Sequence, residues 1–184
     1  MEQQNLLNST LLVHLKGFTY LKHYRSQEFW LSIIILLVTV IFSVVACIRW
    51  YSLTFFVGSF LFIHWLGLIA TVFIAVFIPI YYVLKRKRPQ NRKILLRIHV
   101  FGNLLAFLLI SIHFAQNVGR LADFYPKLGN GVVLFLVLTI TVATGFLERF
   151  QPREKWVRYT KFVHRYIVAI FYVVTLIHVL QGST

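Results

Sequence analysis

The chain has 184 residues, 59% of them hydrophobic and only 13% charged, with a mean hydropathy of +0.76; this is far from the roughly half-apolar, quarter-charged usage of soluble domains and excludes a soluble globule. Lys and Arg number 19 against 5 acids, a formal net charge of +14, yet these cations lie between long apolar runs and not on a folded polar surface, so no nucleic-acid partner is expected. The single cysteine, Cys47, rules out an internal disulfide, a four-cysteine metal site and a thioether-linked haem.

Residues 1–28 read as a cytoplasmic or interfacial N-terminal segment, followed by one membrane domain over residues 29–184. Leu7, Leu11, Leu15, Phe18 and Leu21 recur at steps of three or four, the spacing of a helix lying on the membrane surface. The segment lacks the basic start, compact apolar centre and small-residue exit of a cleavable signal, so it is expected to be retained. A hydrocarbon core of about 30 Å takes roughly 20 helical residues. Five uncharged stretches meet that length: residues 29–48, a span inside 50–84 starting near Thr54, residues 98–118, residues 131–147, and residue 166 to the C-terminus with a first turn reaching back to about Lys161. Each is expected to be a helix, because lipid offers no water to an open backbone, and barrel-type alternation is absent. The expected fold is therefore an all-α integral membrane bundle of five transmembrane helices.

Short loops rich in Lys and Arg stay in the cytoplasm. One side collects Lys16, Lys22, Arg25, the run Lys85, Arg86, Lys87, Arg88, Arg92, Lys93 and Arg97, and then Arg149, Arg153, Lys155, Arg158, Lys161 and Arg165; the other has Arg49, Arg120 and Lys127. Sixteen against three predicts a multi-pass protein of the cell membrane with its N-terminus inside and its C-terminus outside. The basic stretch 85–97 is also suited to anionic lipid head groups or a partner.

Ionisable residues at membrane depth are costly and point to function. His99 and His113 lie on the third span, His164 and His178 on the fifth, and His64 alone on the second. Both pairs are 14 residues apart, about 40° short of four full turns, so each pair projects from nearly one side of its helix with a rise of about 21 Å. The two spans run in the same direction, which predicts an inner layer of His99 and His164 and an outer layer of His113 and His178. Two opposed imidazoles suit a planar macrocycle, whose iron takes one axial ligand on each side. Zinc wants four donors, and no Cys, Asp or Glu stands near either pair. Arg97, Arg158, Lys161 and Arg165 border the inner layer, and Arg120 and Lys127 the outer with Arg49 as a further candidate, as partners for haem propionates. Gly102 and Gly145 offer close approach to a porphyrin or to another helix. His64 is placed nearer the middle of the membrane than either layer, with roles open between bordering a haem, hydrogen-bonding a quinone, relaying protons, replacing a ligand and simple packing.

The segments Arg97-Ile98-His99, Ser111-Ile112-His113, Ala143-Thr144-Gly145-Phe146-Leu147, Phe162-Val163-His164-Arg165 and Leu176-Ile177-His178 resemble the di-haem membrane cytochromes b, in particular the superfamily of ferric reductase-like transmembrane domains. The resemblance covers residues 94–181. It implies that His99, His113, His164 and His178 are axial ligands of two b-type haems held between the third and fifth spans. No flavin or nicotinamide module and no GxGxxG sequence accompany the spans. The expected role is thus the electron-transfer subunit of an oxidoreductase complex, passing electrons between other redox subunits and a quinone-like carrier. Two alternatives stand beside it. One is a self-contained quinol, superoxide or ferric oxidoreductase using Gln116, Asn117, Asp123 and Tyr125 at the outer end; the other is a histidine-based proton conductor, for which the spans lack acids.

Overall fold

A computed structural model describes residues 26–120, 129–150 and 154–182. The surface helix expected over residues 7–21, and Asp123, Tyr125 and Lys127 of the outer end, lie outside the described residues. Five long apolar helices, each able to cross a membrane, make up the described chain: α1 Gln27–Ile48, α2 Phe62–Lys87, α3 Arg92–Gly119, α4 Gly129–Phe150 and α5 Glu154–Gly182. They match the five uncharged stretches of the sequence in order, and the protein is a multi-pass membrane helical bundle.

Each helix satisfies its backbone within itself, as a bilayer demands. The Ser26 hydroxyl caps α1 by accepting from the Phe29 amide at 3.2 Å. The hydroxyls of Ser32, Thr39, Thr139 and Thr141 each donate at 2.8 Å to the carbonyl four residues earlier. Between α1 and α2 the chain forms a 3₁₀ turn, Trp50–Leu53, and then a two-stranded hairpin, β1 Phe56–Val57 paired with β2 Phe60–Leu61. Gly58 turns it at φ +64°, a backbone conformation that costs a glycine nothing. This hairpin starts α2 at Phe62, later than the expected start near Thr54. His64 is consequently the third residue of α2 and lies in its first turn, not about ten residues into the helix.

The backbones pack along four seams: α1–α3, α2–α3, α3–α4 and α4–α5. Helix α3 is the hub; α3 and α5, which carry the two histidine pairs, do not form a seam with each other. The core joins Ala70 and Ile74 of α2, Ala106 and Phe107 of α3, Leu138 of α4 and Phe171 of α5, each at most 8% exposed. At mid-depth the Tyr172 hydroxyl donates to the Ile74 carbonyl at 3.1 Å, tying α5 to α2. At the end of the bundle where α1 begins, Glu28 of α1 pairs with both Arg97 of α3, at 2.7 Å, and Arg149 of α4. At the opposite end the Asn130 amide donates to Gln181, joining the start of α4 to the end of α5.

Candidate functional site

The histidines sit in two levels that share one register. Helices α2 and α3 run antiparallel, with His113 against Gly67 and His99 against Tyr81; a β-carbon at Gly67 would lie 3.3 Å from the His113 ring, and the Tyr81 and His99 rings stack at 4.4 Å between centroids and 16° between planes. Helices α4 and α5 repeat the arrangement, a β-carbon at Gly145 lying 3.1 Å from His164 and one at Gly131 lying 3.7 Å from His178. On all four helices the two positions are therefore 14 residues apart, so that every imidazole meets a matching position on its neighbour. The residues midway between them, Ile74, Ala106, Leu138 and Phe171, are four of the six buried core residues. The bundle thus has a histidine level, a dry apolar layer and a second histidine level.

His99 and His164 stand at one level of this shared register, and His113 and His178 at the other. Because α3 and α5 are not packed side by side, these imidazoles approach across a separation and not through a helix seam.

The hydrogen bonds hold the rings in a state suited to ligation. His113 Nδ1 lies 3.0 Å from the Ile63 carbonyl oxygen, which assigns a proton to Nδ1 and leaves the Nε2 lone pair available. His164 Nδ1 lies 3.1 Å from the Thr141 carbonyl and 3.1 Å from the Thr144 hydroxyl, with the same consequence. His99 Nδ1 faces the Asn103 carboxamide at 3.1 Å, and the other end of that amide, Oδ1, is buried without a hydrogen bond. The two ends of a carboxamide are nearly isosteric; turned over, Oδ1 accepts from the His99 Nδ1–H and frees that Nε2 as well. These donors fit a bis-imidazole haem: two imidazoles per level, with His99, His113 and His164 held from behind at Nδ1. Among the described residues no group of three or more His, Cys, Asp or Glu gathers around a common point, so neither level assembles the four donors that a bare zinc ion prefers.

The other candidates from the sequence are distributed differently. Arg97 is engaged by Glu28. Arg158, Lys161 and Arg165 are exposed on the inner part of α5. Arg120 places its guanidinium carbon 5.7 Å from the centre of the Trp50 ring. Gly102 receives the Phe73 ring of α2, which any side chain there would overlap, so it serves helix packing. Gly145 does the opposite and makes room for His164. His64 is exposed, and its ring centre is 6.0 Å from that of His113. Of the proposed outer-end carrier residues, Gln116 is 0% exposed and donates to the Trp50 carbonyl at 3.3 Å, while Asn117 donates to the His113 carbonyl at 2.7 Å. The sequence reading missed Gly67, Tyr81, Asn103, Gly131 and Thr141; the signal that could have found three of them is the recurrence of the 14-residue interval in Gly67–Tyr81 and Gly131–Gly145.

No protein-family model matches the chain, and no curated protein or solved structure is significantly similar to it.

Proposed function

We propose that this chain is a di-haem membrane cytochrome b, in which His99 and His164 hold an inner haem and His113 and His178 an outer one. Its work is to carry electrons across the bilayer between a redox partner subunit and a quinone-like carrier, as part of an oxidoreductase complex. The observation that carries the reading is the shared register of two histidine levels, each imidazole set against a matching position on the neighbouring helix, with a buried apolar layer midway between them. When bound, each haem would supply a reversible one-electron couple, and an iron held by two imidazoles would favour electron transfer over oxygen binding.

The chain's own residues do the rest. The Ile63 and Thr141 carbonyls fix the tautomer and orientation of His113 and His164 and make each imidazole a stronger ligand. Gly67, Gly145 and Gly131 clear the space in which the rings sit. The layer of Ile74, Ala106, Leu138 and Phe171 excludes water between the levels and keeps them about 21 Å apart along the helices. The cations at one end of the bundle orient that end, with the N-terminus, toward the cytoplasm and the C-terminus outside. The exposed Arg158, Lys161 and Arg165 remain available to propionates, anionic lipid or a docked subunit.

Purified in mild detergent, the protein is expected to contain two protohaems per chain by pyridine haemochrome assay and to show low-spin ferric signals in electron paramagnetic resonance. His99→Leu or His164→Leu removes one haem, and His113→Leu or His178→Leu the other. Fewer than two haems in the unsubstituted protein, or loss of a haem on His64→Leu, overturns this assignment.

A further inference from the structure

The two histidine levels are built alike in register but not in chemistry. At the outer level the α2 position facing the α3 ligand is Gly67, which offers His113 no side chain at all. At the inner level the equivalent position, 14 residues on, is Tyr81. Its ring lies nearly parallel to the His99 imidazole at 4.4 Å, is 8% exposed, and continues a stack through Phe77 to Phe73. The Lys85 ammonium, one turn further along α2, sits over the ring that stacks on His99, at 5.5 Å from the centre of Tyr81. The outer level has a cation too, Arg120, but it rests on Trp50.

We infer that Tyr81, with Lys85 over its ring, is a positioning residue for the inner ligand: it fixes the plane of the His99 imidazole and makes the inner level the more easily reduced of the two. This rests on the di-haem reading. The physical argument has two steps. An imidazole clamped by a stacked ring on one side and by Asn103 at Nδ1 has one orientation about its metal bond, whereas His113 meets a glycine and is held in plane by a single hydrogen bond. Reduction adds one negative charge to a site, and a nearby ammonium in a medium poorer than water in screening favours the electron-richer form. Lys85 therefore raises the inner potential, and electrons entering from the outer face come to rest at the basic end of the bundle.

The experiment is an optical redox titration of the di-haem protein, with the levels assigned through His178→Leu, which retains the inner haem alone. The inner haem is expected to titrate at the higher potential. Lys85→Gln shifts that potential down and leaves the outer haem unmoved. Tyr81→Leu shifts it in the same direction and also alters the ferric resonance signal of the inner haem, because the imidazole is free to turn; Tyr81→Phe, which keeps the stack, preserves the signal. An inner haem of lower potential, equal shifts at both levels, or no shift on Lys85→Gln overturns the inference. Lys85 lies on the last turn of α2, away from the ligands, so its substitution decides the question even where Tyr81→Leu sheds haem. Failure of the di-haem reading itself is separate and is seen in the haem content of the unsubstituted protein.

Discussion

Helices α3 and α5 each carry two histidines 14 residues apart, and they are held in opposite ways. Helix α3 packs on α1, α2 and α4 and buries Leu95, Leu104, Ala106, Phe107, Ser111, Ala115 and Gln116. Helix α5 packs along α4, buries Thr160 and Phe171, and reaches α2 through the Tyr172 hydroxyl. The placement of His99 and His113 is thus a property of the folded protein, fixed by close packing on three sides. The placement of His164 and His178 opposite them depends on one seam, the Tyr172 bond at mid-depth, the Asn130–Gln181 bond at one end and whatever occupies the separation between α3 and α5. In the proposed reading a haem at each level is the missing contact, and it works as the staple between the α1–α3 unit and the α4–α5 pair.

The sharpest way to break this comparison is to remove both α5 ligands. His164→Leu with His178→Leu is expected to abolish haem binding and to speed amide hydrogen exchange across α5 roughly tenfold or more, ~1.4 kcal/mol of local stability, while α3 keeps its protection. Equal loosening of both helices would mean that the haems do not staple the halves. A narrower substitution acts at one level only. Gly145→Val drives a side chain into a site where even a β-carbon lies 3.1 Å from the His164 ring; haem content is expected to fall from two to one per chain, with the outer haem retained. The smallest effect comes from the tether. Tyr172→Phe deletes the bond to the Ile74 carbonyl and is expected to cost about 1 kcal/mol, read as a lower thermal midpoint with both haems in place.

Much of this arrangement was legible before any coordinates. The spans were readable because an uncharged run of about 20 residues in a bilayer has one solution, the helix. The histidine levels were readable because 14 residues is close to four turns. The start of α2 was not: residues 54–61 are as apolar as the helix that follows, so composition alone could not separate a hairpin from a first turn. His64 was misplaced in depth for that reason, and the structure sets it beside His113. Arg97 was equally opaque, since its partner Glu28 stands 69 residues away in sequence. Gly102 and Gly145 look alike as letters, and only the identity of the facing side chain, Phe73 in one case and His164 in the other, separates a packing glycine from one that seats an imidazole.

The sequence by itself determined how many helices are able to cross a bilayer, which residues share a helix face and how far apart along the helix the paired imidazoles of α3 and α5 lie, because lipid enforces the helix and the helix enforces its period. The tertiary structure alone decided which faces meet. It put α4 between the two histidine-bearing helices, set Tyr81 against one imidazole and Gly67 against its counterpart, and spent Arg97 on Glu28. Helical periodicity fixes the angle between residues on one rod, but the rotation of each rod toward its neighbours comes from side-chain packing between them.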